Sequence, residues 1–303
     1  MPKAIVTGAG GFVAKALCKY LVKQGVQVTA LSRNGKPDQL PSSDLLTNIT
    51  FDLAKPEQIS QLVAADNYDY FFHFAWAAVS GADRANPNMQ LDNAKWTVEC
   101  LKQAKLLGCQ RFIGIGSIME QESLIAVNTS GHKPGMGYVY GSAKLAAHML
   151  CQSVAADIDI DFVWTELTNT YGPGENSPRL INSTLKLCLA NQSPSFTAAK
   201  QNYDFVYISD VVRAYYLIAQ HGKPFNSYLI ASSEAQPLKE FLLQIQTLVA
   251  SELEFKFGAI QFTGVSLPLS AFDTTKTKSD TGFATQVSFA NGIIATAEWL
   301  SSL

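Results

Sequence analysis

Short apolar runs alternate with stretches in which apolar residues recur every three or four positions, and this alternation continues to residue 167. Continuous apolar runs are typical of strands buried on both faces, whereas the longer spacing indicates amphipathic helices. The sequence therefore predicts strands at residues 4–6, 26–31, 48–53, 68–74, 111–117 and 161–167. Helices are predicted after the first strand and at residues 89–107 and 138–156, with a polar loop between residues 117 and 138.

The order of these elements predicts an α/β fold with a Rossmann-type doubly wound parallel sheet, because strands that alternate with helices pair in parallel. After Asn169 the pattern changes, and it predicts helices at residues 179–190, 210–220, 238–250 and 291–300 and strands at residues 203–208 and 228–230. We therefore expect a first domain at residues 1–167, to which residues 204–230 return. A smaller C-terminal lobe, expected to bind the substrate, comprises residues 168–203 and 231–303.

A glycine-rich segment follows the first strand and leads into a helix. Gly8, Gly10 and Gly11 come directly after the strand, and Phe12 and Val13 open the helical pattern. Glycines let the backbone turn sharply and let a pyrophosphate approach the free amides of a helix N-terminus. The strand, turn and helix together predict that the first domain binds a dinucleotide and that these five residues line its pyrophosphate.

The end of the second strand indicates which dinucleotide binds. NAD-preferring sites usually place an acidic residue there, whereas this chain has Ser32 and Arg33. The planar guanidinium of Arg33 suits the 2′-phosphate of NADP, so we expect NADP. NAD is the alternative if Arg33 is a surface residue or stacks on adenine. Further cofactor contacts are expected from Asp52, Leu53, Phe74, Ala75, Trp76, Leu167 and Asn93, the last as a hydrogen-bond brace between strands.

Tyr140 and Lys144 stand four residues apart in a predicted helix and therefore share one face. An ammonium near a phenol lowers the tyrosine pKa, so Tyr140 becomes able to exchange a proton near neutral pH. Ser117 ends the fifth strand at the edge where ligands bind in open α/β sheets. We expect these three residues to form the catalytic group, with Tyr140 and Lys144 also contacting the cofactor.

The composition argues against several classes of partner. Acidic and basic residues nearly balance, at 25 against 23, and no basic stretch indicates nucleic acid. No apolar run reaches the ~18 residues of a membrane span, and a strand that starts at Lys3 leaves no room for a signal peptide. Five cysteines without paired spacing predict reduced thiols in a cytoplasmic protein, and four scattered histidines predict no metal site.

With these residues in place, the chain resembles the extended short-chain dehydrogenase/reductase family, in its NAD(P)-dependent nucleotide-sugar epimerase/dehydratase branch. The likeness covers nearly the whole chain and follows the family's order of motifs. They are Thr7-Gly8-x-x-Gly11-Phe12, Asp52-Leu53, His73-Phe74-Ala75, Asn93, Ser117, Tyr140-x-x-x-Lys144, and residues 169–174, 204–210 and 273–276.

The resemblance implies a role for each residue of the site. Tyr140 would be the acid and base, Lys144 would lower its pKa and hold the nicotinamide ribose, and Ser117 would hydrogen-bond the substrate oxygen. Substrate contacts are expected from Asn169, Arg179, Tyr203 and Asp273. Relatives pair the helices that correspond to residues 89–107 and 138–156 across a two-fold axis, so the resemblance also implies a homodimer.

Two departures from the family pattern bear on the reaction. Sugar-nucleotide 4,6-dehydratases of the family place Asp-Glu after the serine or threonine, whereas this chain has Ile118 and Met119, which cannot move a proton. The resemblance without this pair argues against 4,6-dehydration. Tyr203 stands where members that use nucleotide sugars often have arginine, and Arg179 is the candidate to replace that arginine.

We therefore expect hydride transfer at a ring carbon, C4, of a nucleotide sugar. A 4-ketoreductase is favoured over a 4-epimerase, because Arg33 favours NADPH, which a reductase consumes. One alternative is an NADPH-dependent reductase of a small non-nucleotide carbonyl, which Tyr203 favours. The other is a non-catalytic protein that senses dinucleotides, against which the retained Ser117, Tyr140 and Lys144 argue.

Overall fold

A parallel sheet of seven strands forms the centre of the fold, in a computed structural model that describes residues 1–35 and 40–303. The strands, in chain order, are β1 (Lys3–Thr7), β2 (Gln27–Ser32), β3 (Leu46–Thr50), β4 (Tyr70–His73), β5 (Arg111–Ile115), β6 (Asp161–Leu167), β7 (Asn169–Tyr171), β8 (Asn202–Tyr203), β9 (Phe205–Tyr207), β10 (Asn226–Ile230) and β11 (Gln236–Pro237). The sheet has the order β3-β2-β1-β4-β5-β6-β10, and each neighbouring pair is parallel.

Helices cover both faces of this sheet, as the doubly wound prediction requires. They are α1 (Phe12–Lys23), α2 (Ile59–Leu62), α3 (Pro87–Leu106), α4 (Met119–Asn128), α5 (Tyr138–Asp157), α6 (Leu180–Leu189), α7 (Ile208–His221), α8 (Leu238–Val249), α9 (Thr275–Thr281) and α10 (Phe289–Ser301). Short 3-10 turns lie at Pro56–Gln58, Ala82–Ala85 and Leu269–Phe272. The Rossmann-type α/β fold class is therefore confirmed.

Alternate residues of β1 enter two separate cores. Ala4 and Val6 pack with α1 and α7 on one face, while Ile5 packs with α3 and α5 on the other. Successive side chains of a strand point to opposite faces, so a strand covered on both sides must be apolar throughout. This double burial explains why β1 appears in the sequence as an uninterrupted apolar run.

The C-terminal part adds a third, aromatic core. Phe205, Phe241 and Phe289 pack there against α6, α8 and α10, and two small sheets pair β7 with β9 and β8 with β11. The single strand predicted at residues 203–208 is wrong, because the chain breaks between β8 and β9 at Asp204. The buried Asp204 carboxylate accepts hydrogen bonds from Thr168 Oγ1 at 2.6 Å and from the Ser232 amide at 3.0 Å.

Two further predictions differ from the structure. The loop predicted after Ser117 contains helix α4, in which Glu120, Ser123 and Ala126 recur every three residues and face inward. The strand predicted at residues 48–53 is β3, two residues earlier, because it ends where its partner β2 ends. The Phe51 amide there donates to the Ser32 carbonyl at 2.9 Å, and the chain turns away.

The strand order reverses between β1 and β4, and this reversal positions the site. The connections from these neighbouring strands leave towards opposite faces, so a cleft opens at their carboxyl ends. Ligands of open α/β sheets bind in such a cleft. Among residues 1–35 and 40–303, no helix has the length and apolar character to cross a membrane.

Candidate active site

The glycine turn after β1 shapes one wall of the cleft. Gly8 has φ +70°, and a Cβ at this position would lie 2.7 Å from the Ala75 nitrogen, so only glycine fits. The Gly11 amide donates to the Gly8 carbonyl at 2.9 Å, and helix α1 then begins at Phe12 without a side-chain cap. Its first amides lack partners within the helix, which is the arrangement that binds a pyrophosphate.

The ends of β2 and β3 border the same cleft. The Ser32 hydroxyl is buried and has no hydrogen-bond partner among the described residues, while Arg33 is exposed beside it. Leu53 is buried, and Asp52 is exposed and accepts a hydrogen bond from the Ala54 amide at 3.1 Å. The narrow glycine turn, the uncapped helix and the unpaired hydroxyl all fit a dinucleotide laid across the sheet edge.

Hydrogen bonds from Thr7 and Asn93 fix the loop that follows β4. The Thr7 hydroxyl bridges β1 and β4, at 3.0 Å from His73 Nδ1 and 3.2 Å from the Ala75 nitrogen. Burial lowers the pKa of His73 to about 3, so its ring is neutral. Asn93 is buried and holds the Ala77 backbone through two hydrogen bonds. Its Oδ1 accepts from the Ala77 amide at 2.7 Å, and its Nδ2 donates to the Ala77 carbonyl at 3.0 Å. Asn93 thus braces this loop against α3, and not two strands against each other as expected.

Trp76, Tyr140 and Lys144 come into contact at the centre of the cleft. The Lys144 ammonium lies 3.6 Å from the centre of the Trp76 ring and donates to the Ile115 carbonyl at 2.7 Å. The Trp76 and Tyr140 rings meet edge to face with centres 6.0 Å apart, and Trp76 Nε1 donates to Gln90 Oε1 at 2.8 Å. Helix α5 therefore presents its tyrosine and lysine to the loop that follows β4.

The pKa of Tyr140 departs from the expected direction. Burial raises the pKa of its phenol, against the lowering effect of Arg84 and Arg179. The Lys144 nitrogen lies 5.9 Å from the centre of the Tyr140 ring, and its hydrogen bond goes to the Ile115 carbonyl. The helical spacing brings the two residues to one face, but the lowering of the Tyr140 pKa by Lys144 is not seen.

Glu120 is a residue of the site that the sequence reasoning missed. Its buried carboxylate accepts from the Ser117 amide at 2.8 Å and from Trp164 Nε1 at 3.1 Å, and lies 3.3 Å from His148 Nδ1. The Ser117 hydroxyl accepts from the Met119 amide at 3.2 Å, so its own proton is available to a ligand. The sequence predicts a loop where Glu120 lies in helix α4, so it does not predict that this side chain turns inward.

The expected substrate residues occupy different settings. Arg179 is exposed at the start of α6 with Nε 3.6 Å from Glu175, and Asn169 Nδ2 donates to the Asp204 carbonyl at 3.0 Å. Burial and the charge of Glu122 raise the pKa of Tyr203, and Arg84 and Arg179 oppose this rise. Asp273 is exposed and accepts from the Thr275 hydroxyl at 2.5 Å and from the Thr275 amide at 2.9 Å, and these two bonds lower its pKa. Of the remaining expected cofactor residues, Phe74 and Leu167 are half-buried at strand ends, Val13 is half-buried in the first turn of α1, and Gly10 is exposed in the glycine turn.

Arg84 and Glu122 were also missed. The Arg84 guanidinium carbon lies 4.5 Å from the centre of the Tyr140 ring, from a turn that precedes α3. Burial raises the pKa of Glu122, and Arg84 opposes this effect. Neither residue belongs to a recognised motif. Both lie in segments for which the sequence predicts no helix or strand, so their positions could not be anticipated.

Comparison with known proteins identifies relatives of this arrangement. The family model described as "NAD dependent epimerase/dehydratase family" matches residues 4–231, more than half of the chain. A dTDP-glucose 4,6-dehydratase of Streptomyces niveus is 26% identical, over 98% of this chain and 92% of its own. A 2-alkyl-3-oxoalkanoate reductase of Shewanella oneidensis is 24% identical, over 96% of this chain and 84% of its own.

A solved structure shares the fold over its full length. The crystal structure of UDP-glucose 4-epimerase from Thermotoga maritima, solved with UDP-glucose, has a TM-score of 0.82. The match covers 99% of both chains at 18% sequence identity. At this identity the likeness establishes the fold alone.

The pKa of Lys144 tests the role of Glu120. Burial lowers the pKa of Lys144 to about 7, and the negative charge of Glu120 opposes that effect. Glu120→Gln keeps the shape and the acceptor for the Ser117 amide but removes the charge, so we expect the Lys144 pKa to fall by about one further unit. NMR titration of ¹³C-labelled lysine measures the change.

Glu120→Asp is the matched control. The shorter side chain keeps the charge but no longer reaches the Ser117 amide, so the Lys144 pKa should stay near that of the unmodified chain. Equal Lys144 pKa values in Glu120→Gln and the unmodified chain would show that Glu120 does not act on the ammonium.

Proposed function

We propose that this chain, which belongs to the NAD-dependent epimerase/dehydratase family, catalyses hydride transfer at a ring carbon, C4, of a nucleotide sugar. The observation that carries the proposal is the contact of Tyr140 and Lys144 with Trp76. Trp76 directly follows Ala75, which packs against Gly8 of the glycine turn. A proton donor there stands beside the place where a dinucleotide fits. The nucleotide-sugar relatives and the shared fold support this substrate class.

Each side chain of the catalytic group has a distinct task. Tyr140 donates its phenolic proton to the carbonyl oxygen of a 4-keto sugar in the reducing direction and takes it back in the oxidising direction. Ser117 donates a hydrogen bond from its hydroxyl to the same oxygen, and the charges of Arg84 and Arg179 favour the phenolate that forms. The nicotinamide cofactor, when bound, supplies or accepts the hydride.

The raised pKa of Tyr140 supports a 4-ketoreductase over a 4-epimerase. A buried phenol stays protonated at neutral pH, so it is poised to give a proton to a ketone. An epimerase must first remove a proton from a hydroxyl group, which such a phenol does less readily.

The exclusion of 4,6-dehydration is not supported by the relatives, because a 4,6-dehydratase aligns with 98% of this chain. Ile118 and Met119 carry no acid, and Glu120 is engaged with Trp164 behind the site. The half-buried Glu122, however, places a carboxylate with a raised pKa beside Arg84 and Tyr203. Loss of water is therefore one of the outcomes that product analysis must distinguish.

Reduction of a small non-nucleotide carbonyl is a second candidate. Tyr203, in place of the arginine that often holds a nucleotide sugar, favours it. A relative named 2-alkyl-3-oxoalkanoate reductase, 24% identical over 96% of this chain, supports it as well. Competition by free UDP, dTDP, CDP or GDP would separate the two, since only the nucleotide-sugar enzyme is inhibited.

Replacement of the phenol tests the proposed chemistry. Tyr140→Phe should lower kcat about 10²- to 10⁴-fold, because the proton donor is lost while the ring remains. Tyr138→Phe is the matched control, since the Tyr138 hydroxyl has no partner among the described residues, and it should retain activity within a few-fold.

The assay supplies NADPH or NADH with 4-keto sugars, and NADP or NAD with the corresponding 4-hydroxy sugars, each linked to the four nucleoside diphosphates. Absorbance follows the cofactor, mass spectrometry detects loss of water, and NMR distinguishes the C4 epimers. Net cofactor consumption indicates a reductase, isomerisation without consumption an epimerase, and loss of water a dehydratase. Equal activity of Tyr140→Phe and Tyr138→Phe would refute the role of Tyr140.

The preference for NADP over NAD is proposed on Arg33 alone, in a family described as NAD dependent. Arg33 is exposed at the end of β2, where a 2′-phosphate would meet its guanidinium. Arg33→Gln should reduce the ratio of NADPH to NADH affinity about 10- to 100-fold, the range of a charge-assisted hydrogen bond. Lys23→Gln, which removes an exposed charge from the end of α1, is the control; a native preference for NADH would contradict the proposal.

The outer faces of α3 and α5 support the proposed homodimer. They expose Leu91 at 60% and Met149 at 63% of their surface, in two helices that pack against each other. Large apolar side chains that are exposed on two packed helices favour an interface, and a second copy would cover them. Met149→Glu should convert the dimer to a monomer in sedimentation analysis. Leu189→Glu, at an exposed leucine of α6, should leave the mass unchanged.

The cysteines support a cytoplasmic location. All five are buried free thiols, and burial raises the pKa of Cys18 and of Cys109 to about 12. Such thiols are inert and unpaired, as is usual in a reducing compartment.

A further inference from the structure

Arg84 reaches the Tyr140 ring from a short turn outside the regular helices and strands. It lies in the 3-10 turn Ala82–Ala85, between β4 and α3, after Gly81 turns the chain with φ +73°. Its guanidinium stacks over the Tyr140 ring at 4.5 Å, and one of its nitrogens lies 2.6 Å from the Met119 sulfur. The Arg84 Nε atom is buried and has no hydrogen-bond partner among the described residues.

The charge of Arg84 also lacks a counter-ion. In the part of the chain that the structure describes, no carboxylate oxygen lies within 4.0 Å of it, whereas Arg111, Arg179 and Arg213 each have one at 3.1, 3.6 and 3.0 Å. A half-buried cation to which the described residues offer a sulfur and an aromatic face, and no carboxylate, has lost much of its hydration without full compensation. An anion that binds at this place would supply the missing hydrogen bonds.

We propose that Arg84 binds a carboxylate that the substrate carries one or two carbons from its reacting carbonyl, an inference that rests on the proposed role of Tyr140. The guanidinium lies over the Tyr140 ring at 4.5 Å, so a substrate carbonyl that meets the Tyr140 hydroxyl would place the groups next to the reacting carbon within its reach. Its planar fork matches a planar carboxylate with two parallel hydrogen bonds.

The nearby charge of Glu122 and the number of available donors favour a carboxylate over a phosphate in this place. Glu122 lies close enough to Arg84 for the arginine to oppose the rise of its pKa, so a dianion beside it would be repelled. A phosphate also needs more donors than one guanidinium offers. The second arginine whose charge acts on Tyr140, Arg179, directly precedes helix α6 with its Nε atom 3.6 Å from Glu175, so unlike Arg84 it already has a counter-ion.

The carboxylate has two chemical sources, and binding experiments with matched pairs separate them. UDP-glucuronate and UDP-glucose differ by an acid on the sugar, while 3-hydroxyoctanoate and 3-hydroxyoctanamide differ by an acid on a small chain. Calorimetry with the full chain saturated with NADP measures the affinity for each member. We expect the acid of one pair to bind about 10- to 100-fold more tightly than its neutral partner, the range of a charge-assisted hydrogen bond.

Variants assign that preference to Arg84. Arg84→Gln should bring the affinity ratio of acid to neutral partner close to one, and Arg84→Lys should restore part of it, because the charge returns without the fork. Lys186→Gln removes an exposed charge from α6 and should leave the ratio unchanged. Circular dichroism melting of each variant confirms that it is folded.

The outcomes separate this inference from the proposed function. Arg84-dependent binding of an acid without hydride transfer to any substrate supports the carboxylate site and refutes the function. Hydride transfer with an equal response to acid and neutral partner overturns the carboxylate site and leaves the function intact. A preference for the acid that persists in Arg84→Gln overturns the assignment to Arg84.

Discussion

The burial of the Lys144 ammonium is the constraint on which the site depends. A lysine that is 5% exposed must regain its lost hydration from the protein, and here the Ile115 carbonyl and the Trp76 ring provide it, at 2.7 and 3.6 Å. These contacts tie α5 to the end of β5 and to the loop after β4. The elements that carry the tyrosine, the serine and the tryptophan of the site therefore have fixed relative positions.

Glu120 extends this constraint into the core behind the site. Its carboxylate holds the Ser117 amide and Trp164 Nε1, and it fits only because residue 116 is glycine, whose Cβ would lie 2.2 Å from Glu120 Oε1. Across the end of β5, this carboxylate opposes the lowering of the Lys144 pKa by burial. A carboxylate and an ammonium in this arrangement stabilise each other, whereas either alone would be expensive to bury.

The sheet and the glycine turn could be predicted because their signals are local: apolar runs for strands such as β1, and glycines directly before α1. The helical spacing of Tyr140 and Lys144 likewise predicted a shared face. It could not predict that the lysine bonds to the Ile115 carbonyl, since that depends on how α5 docks on β5. Arg84 and Glu120 were out of reach for the same reason: their partners, Tyr140 and Trp164, are distant in sequence.

The charges of the cleft couple substrate recognition to proton transfer. The chain has a net charge of −2, yet Lys144, Arg84 and Arg179 all act on the group around Tyr140 or His73. Arg84 lowers the pKa of Tyr140 because its positive charge favours the phenolate. The carboxylate of a bound substrate, paired with Arg84, would cancel that effect and keep the phenol protonated beside the carbonyl of the same substrate. The same arginine that selects an acidic substrate would therefore set Tyr140 to act as a proton donor, which is the role that reduction requires.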